Sequence, residues 1–444
     1  MRRFASLLFF LALVNDGVAL FSQYMFAPFA WVRPVLFESI GPARPFEYAM
    51  IVVLLFGRMR GRPATPDVRP MRRFLYVAAG VILFELTYGL ATGGDGHAAG
   101  WQMYLPLSMI LATFAFASVC RTAEHFATLW NLAVAAGVYH AVMAIIFYVR
   151  FVRDGHMWPV PEYLSTHEDT VVWTTSICFV LTRAIQFPTR RNRTVAAVIV
   201  PLFLVAIQLN NRRLAWISLA GSVLALYFLL PPSPVRRKIH RWVAIAVPVL
   251  LLYVAIGWGH SNQAIFAPLR AFETVSTAED ASTKARNVEN LGLIATAQQA
   301  NSVFGTGLGH KYTEVSEKYQ IHGFELWPYV PHNSVLGLLT YTGFVGFIGY
   351  WMVFPAGVFF HARLARAPNP AHRLIGFTAI AQIVACADQW YGDMGSFSIV
   401  TAYSLAISLA AALRLPTIAG VWPPAAPAVR GASGARGERA AGAA

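Results

Sequence analysis

The sequence predicts an all-α protein that crosses a membrane many times, and three observations carry that expectation. Only 13% of its 444 residues are charged, where soluble chains carry about 25%, while 57% are hydrophobic. Mean hydropathy is +0.51. Apolar runs close to the length of about 20 residues that a helix needs to cross a bilayer recur along the whole chain. Together these exclude a soluble globule, a disordered chain and a fibrous one. The formal net charge of +14 would suit nucleic acid or acidic lipid if it formed one patch, so the position of the charges decides its meaning.

Twelve spans are expected, over residues 4–23, 46–57, 74–92, 103–120, 127–149, 171–187, 195–210, 214–232, 242–259, 333–360, 374–387 and 396–413. The second and eleventh are short and borrow flanking residues. Met1-Arg2-Arg3 before an apolar run resembles a signal peptide, but a small-x-small cleavage site is missing and Asn15 and Asp16 interrupt the run, so it is read as a helix. Cys120, Cys178 and Cys386 fall in or at the end of apolar runs, offering neither a disulfide framework nor metal-ligand spacing.

Orientation follows from the excess of Lys and Arg in cytoplasmic loops. With both termini cytoplasmic, 23 of the 35 basic residues lie on that side and 11 outside, with Arg183 inside a span. Most of the net charge is therefore a topological label that calls for no nucleic-acid partner. The chain divides into an N-terminal membrane region (1–259, nine spans), a long outer loop (260–331), a C-terminal membrane region (332–413, three spans) and an Ala/Gly/Arg-rich, disordered cytoplasmic tail (414–444). No internal repeat of the kind that builds many transporters is visible.

Candidate chemistry gathers on the outer side, where connections as long as 260–331 usually have a function. Arg212 and Arg213, in a short outer turn, stand against the charge rule. Anchoring to lipid phosphates explains any one such arginine; a built anion site is the alternative, because a guanidinium offers phosphate a planar fork of donors. Residues 283–300 read as an amphipathic helix with a stripe of Val288, Leu291, Ile294 and Ala295, and with Arg286 and Asn290 on another face. Lying on the membrane accounts for the stripe but does not choose Arg286. Gly305, Gly307 and Gly309 form a turn, lacking the features of a P-loop or dinucleotide fingerprint. Pro331 and the capping residues Asn333 or Ser334 place His332 where the chain re-enters the bilayer, and a histidine there is either structural or a proton acceptor. His167-Glu168-Asp169 reads as a solvated outer loop, Asp388 and Asp393 as solvated turn residues, and no metal site is indicated.

These elements, in this order, resemble the O-antigen ligase and polymerase family of bacterial envelope glycosyltransferases. His332-Asn333, nine residues, Gly343, two residues and Gly346 reproduce the family's His-[Asn/Ser/Gln]-x9-Gly-x-x-[Gly/Thr/Tyr] pattern without a mismatch. Phe-Gly-Thr-Gly-Leu-Gly at 304–309 looks like its Gly-x-Gly-x-Gly segment, and Arg286 heads a helix where the family has a loop arginine. Asn211-Arg212-Arg213-Leu214-Ala215-Trp216-Ile217 is similar to its Ser-Arg-Gly-Ala-Trp-Leu segment, with Leu214 and Ile217 departing from it. Matching from Ala215-Trp216 gives the family role to Arg213, with Arg212 as the fallback.

The resemblance implies a GT-C-like helical architecture and a metal-independent, inverting glycosyltransferase that uses no cofactor. It implies a multi-pass protein of the bacterial inner membrane acting on the periplasmic face. The implied donor is an undecaprenyl-diphosphate-linked glycan, and the implied acceptor is lipid A core for a ligase or a growing polysaccharide for a polymerase; transfer to protein is a third reading. Arg213, Arg286 and also Arg212 and Arg270 would hold the donor diphosphate, His332 would be the general base, and Asn333 and Asp388 would position the acceptor. A secondary transporter or lipid-linked glycan flippase is the alternative from another class, suggested by Asp16, Glu85, His140 and Arg183 within spans.

Overall fold

The computed structural model describes the chain except residues 16–20, 41–42, 60–64, 154, 156, 158–160, 162, 230–233, 261–262, 264–265, 267–268, 270–272, 274–280, 317–325, 394–397 and 424–444. The described residues form helices and connecting turns with two isolated backbone bridges and no strand, as the all-α expectation requires. In chain order the main helices are α1 (Arg2–Leu13), α2 (Pro45–Met59), α3 (Arg69–Ala91), α4 (Gly96–Val119), α5 (Ala123–Phe147), α6 (His167–Gln186) and α7 (Arg190–Leu209). They continue with α8 (Arg213–Leu229), α9 (Pro234–Gly257), α10 (Ala281–Gln299), α11 (Ser334–Trp351), α12 (Val353–Leu364), α13 (Pro370–Gly392) and α14 (Ile399–Ile418).

Local sequence sets where these helices begin. Asp95, Thr122, Thr166, Thr189, Asn333 and Ser398 each cap the helix that follows by accepting a hydrogen bond from a first-turn N–H, each worth about 1 kcal/mol. Seven segments among the described residues are long and apolar enough to cross a membrane: α3, α4, α5 with its π-helical extension, α7, α11 and α12 taken together, α13 and α14. The other expected spans fall on α1, α2, α8 and α9, which are shorter or interrupted by polar residues, and on α6, which opens on a charged turn. Helix α1 stops at Leu13, earlier than the expected 23, and Asp16 lies outside the described residues.

Helix α14 is the hub, packed against α4, α12 and α13, and nearly every side chain from Val400 to Thr417 is buried. It continues past the expected start of the tail because Arg414 is buried and paired with Asp67 across to the α2–α3 connection. Helix α13 packs on α6, α8 and α12; α3 and α10 both pack on α11. Helix α9 runs at the periphery with Leu250, Leu251 and Leu252 exposed, as suits side chains that meet lipid.

One local break shapes the region around His332. Helix α11 leaves helical geometry at Gly343, where φ is 56° and ψ is −164°. In an unbroken helix Phe344 and Val345 would donate to the carbonyls of Thr340 and Tyr341. Here those carbonyls accept from Thr306 N (3.2 Å) and Gly307 N (2.8 Å), while Phe344 N and Val345 N donate to Ser302 O and Val303 O at 3.0 Å each. The glycine-rich segment is thus spliced into the ladder of the helix, satisfying groups that a kink alone would orphan. A Cβ on Gly305 would lie 2.5 Å from the Tyr341 carbonyl, and one on Gly343 would lie 2.5 Å from Gly305 N. The two glycines of the motif are each other's reason: neither backbone could approach if the other residue carried a side chain.

Candidate active site

The splice fixes the re-entry point of the chain, and His332 sits just before it. Its neighbour Asn333 caps α11 by accepting from Leu336 N at 3.0 Å and donates through Nδ2 to Asn290 Oδ1 at 3.1 Å. Both of its polar ends are therefore engaged in holding α11 to α10.

Helix α10 presents an unexpected face. Leu291 and Ile294 from the predicted apolar stripe stay exposed, Leu291 at 58%, whereas Glu289, Gly292, Leu293 and Thr296 are buried. Gly292 allows this, since a Cβ there would lie 2.2 Å from the carbonyl oxygen of Thr313, whose N–H in turn donates to Thr296 Oγ1 at 2.7 Å. The polar face, with Glu289 and Asn290, therefore turns inward and meets residues 332 and 333.

Glu289 is the partner of His332. Its carboxylate accepts from the backbone N–H of His332 at 3.0 Å and lies 3.3 Å (Oε1) and 3.2 Å (Oε2) from Nδ1 of the ring. Tyr312 also donates to Oε1, at 3.2 Å. The Glu289 side chain is 2% exposed and that of His332 22%. A buried carboxylate facing Nδ1 selects the tautomer with its proton there and leaves Nε2 as an acceptor toward the open side.

A second cluster forms where α6 and α8 begin and α13 ends. Asn210 ends α7, and Asn211 follows in the left-handed region at φ 49°. The buried Asn210 accepts from Leu164 N and Ser165 N at 3.0 and 2.8 Å, drawing residues 163–167 to this turn. Arg212 then donates through Nη1 to His167 Nε2 at 3.0 Å and through Nη2 to Ser165 O at 3.3 Å, and it lies 3.9 Å over the Tyr163 ring. Asp393, just beyond α13, contacts His167 Nδ1, and its Oδ2 is 3.8 Å from Arg212 Nη1.

The two clusters act on each other through charge. The pKa of His167 falls well below the ordinary histidine value, first because surrounding protein strips it of solvent even though one edge stays exposed, then because Arg212, Arg286 and His332 bring positive charge. Positive charge from residues distant in sequence thus acts on one imidazole, which is held neutral at pH 7. Neighbouring Glu168 is pushed up to about 7 by burial. Burial works against ionising Asp169, but the charge of His140 and hydrogen bonds from His140, Ser165 and Thr166 hold its carboxyl below the ordinary carboxylate range.

These findings correct two sequence readings. Residues 167–169 form the capped first turn of α6, with Asp169 buried, and are no solvated loop. Asp393 is 4% exposed, so it is no solvated turn residue either. Asp388 lies within α13 facing α8, with Oδ2 3.3 Å from where a Cβ on Gly221 would be. Arg213 is the first residue of α8, one position beyond the cluster that Arg212 enters. Arg270 lies outside the described residues. Glu289, Tyr312 and Tyr163 were missed; the three-residue spacing of Arg286 and Glu289, one helical turn on one face, was the signal available for Glu289.

Residues 196–351 match the model of the family described as O-antigen ligase. The matched segment runs from α7 through α11 and contains Arg212, Arg213, Arg286, Glu289 and His332. No curated protein matches the chain. This match, over about a third of the chain, supports the resemblance to the O-antigen ligase and polymerase family read from the sequence.

Proposed function

We propose that the protein transfers a glycan from undecaprenyl diphosphate to an acceptor hydroxyl at the periplasmic face of the inner membrane, with inversion at the anomeric carbon. The single observation that carries this reading is His332 held by the buried carboxylate of Glu289, within the segment that matches the O-antigen ligase family and that also contains Arg212 and Arg286. Glycosyl transfer from a diphosphate needs a base for the incoming hydroxyl and positive charge for the departing anion. Nε2 of His332 takes the acceptor proton as the oxygen attacks the anomeric carbon. The bond from that carbon to the phosphate oxygen breaks, and undecaprenyl diphosphate leaves with the electron pair. Arg212 and Arg286 meet its charge, and Glu289 stabilises the imidazolium until the proton passes to water.

Contacts to His167, Ser165 and Tyr163 favour Arg212 over Arg213 for the phosphate role, since a guanidinium already fixed in direction loses less freedom when it binds. The proposed acceptor is lipid A core, as in an O-antigen ligase, and a growing polysaccharide would make the protein a polymerase with the same chemistry. The transporter reading is weaker: Glu85, His140 and Arg183 lie apart, His140 faces Asp169, and Arg183 donates to Asn131 at 2.6 Å.

The test uses purified protein with a polyprenyl-diphosphate-linked glycan and lipid A core oligosaccharide, without any ion gradient. Joined product that disappears in His332→Ala supports the proposal. Product formed equally by that variant removes the base assignment, and movement of donor across vesicles without bond formation would favour a transporter. Loss of capped lipopolysaccharide rather than long-chain polysaccharide in a deletion strain identifies the ligase.

A further inference from the structure

The end of the bundle opposite His332 carries a second basic constellation. Arg58 in the last turn of α2, Arg72 in the first turn of α3, Arg121 between α4 and α5, and Arg414 near the end of α14 line one cavity of about 720 Å³. The positive-inside rule explains why such residues lie at this end. It does not explain why four of them, from four separate places in the chain, surround one cavity, nor why one of them is buried.

Arg414 is that buried residue, at 2% exposure. Its Nη1 donates to Asp67 Oδ1 at 2.7 Å and to Thr65 O at 3.0 Å, while its Nε has no partner among the described residues. Asp67 is the one acidic residue among those described around the cavity. Close approach of α2 to α4 helps gather the arginines: a Cβ on Gly57 would lie 2.1 Å from Ser118 Oγ, which brings Arg58 toward Arg121.

Apart from Ser118 and the Tyr76 hydroxyl, the remaining described wall is apolar. Tyr76 and Phe114 stack at 5.3 Å with their planes 22° apart, and Tyr76 is exposed. Such a lining suits a molecule with an anionic head and an apolar body. Phosphate fits the head because guanidinium groups bind it through paired hydrogen bonds, and basic pockets between transmembrane helices take acidic lipid headgroups.

We propose that this cavity binds an anionic phospholipid, its phosphate among Arg58, Arg72, Arg121 and Arg414 and its apolar part along Tyr76 and Phe114. Purified full-length protein in detergent is titrated with phosphatidylglycerol, phosphatidylcholine and glycerol 3-phosphate, with thermal midpoint and lipid retained in native mass spectrometry as readouts. Phosphatidylglycerol at about a hundredfold excess over its Kd raises the midpoint by about 3–6 °C. The Arg58→Gln/Arg72→Gln variant binds it about thirtyfold more weakly, whereas Arg236→Gln/Arg237→Gln, on α9 outside the cavity, binds as before. An equal shift from glycerol 3-phosphate alone would retain the phosphate site and reassign it to a soluble ligand. No shift with either phosphate compound, equal protection by phosphatidylcholine, or undiminished binding to the Arg58/Arg72 variant overturns the proposal.

Discussion

His332 and Glu289 face each other across the junction of α10 and α11, with Nδ1 3.2 Å from Oε2 and the carboxylate closed off from solvent. One face of the ring is thereby tied to a fixed charge while the other remains available. The arrangement follows the general logic of a base held in its tautomer by a buried acid. The backbone N–H of His332 donates to the same carboxylate, so Glu289 sets the position of the residue as well as the orientation of its ring.

Glu289→Gln tests that relationship with little change of shape. The amide can still accept from Tyr312 and from His332 N, but it carries no charge to balance an imidazolium. Turnover at saturating donor should fall about a hundredfold, toward the lower end of what a general base contributes, with KM for the donor nearly unchanged. Unaltered turnover in a folded variant would remove Glu289 from the proposed mechanism.

Arg212 and Arg213 are adjacent, so substituting each by lysine separates geometry from charge. Arg212→Lys keeps the charge but loses the fork that reaches His167 and Ser165 together. Its kcat/KM should drop about a hundredfold, as on removal of a preorganised donor to a developing anion. Arg213→Lys should stay within about twofold, the range of substitutions away from a site. The reverse ranking in a steady-state donor titration would return the phosphate role to Arg213.

The sequence exposed what is periodic or contiguous. All twelve expected spans meet helices because a membrane span is a local statement about hydropathy, and Gly343 was visible because its motif lies on one stretch of chain. Glu289 was hidden by the very pattern that revealed α10: Val288, Leu291, Ile294 and Ala295 marked the stripe, but Leu291 and Ile294 remain exposed and the opposite face is buried. Apolar residues are common on exposed surfaces, so a stripe alone does not say which face of a helix packs inward. His167, Asp393 and Arg212 meet only through tertiary packing, which leaves no spacing to read. The choice between Arg212 and Arg213 turns on the left-handed conformation of Asn211, a property of the turn rather than of residue types.

The paired perturbations of His167 and Glu168 predict opposing dependences of stability on pH. His167 titrates in the folded protein well below its ordinary value, so between that value and about 6.5 the unfolded chain binds more protons. Its effect on stability is absent above about pH 6.5 and becomes a loss as pH falls through that window. Glu168, raised from 4.5 to about 7, binds more protons when folded and destabilises as pH rises from about 4.5 to 7. His167→Gln should therefore flatten the decline in thermal midpoint on acidification. Glu168→Gln should raise the midpoint at pH 8 relative to wild type more than at pH 4.5. Parallel pH profiles for wild type and both variants would contradict these assignments.

The splice of residues 302–307 into α11 makes the strongest stability prediction. Gly343→Ala would place a Cβ 2.5 Å from Gly305 N and Val303 O, in a backbone conformation with φ 56° that L residues rarely adopt. Left-handed strain costs about 1–3 kcal/mol, and here backbone atoms on both sides prevent relaxation. The four hydrogen bonds that join the loop to the broken helix should be lost together, displacing His332 as well. Gly100→Ala is the control: this glycine lies inside α4 with nothing within 4 Å of a new Cβ, and helix propensity favours alanine there by about 1 kcal/mol. The expected result is a sharply lower midpoint and loss of transfer for Gly343→Ala, against an unchanged or raised midpoint and full transfer for Gly100→Ala. A Gly343→Ala protein as stable and active as wild type would show that α11 can run unbroken without harm to the site.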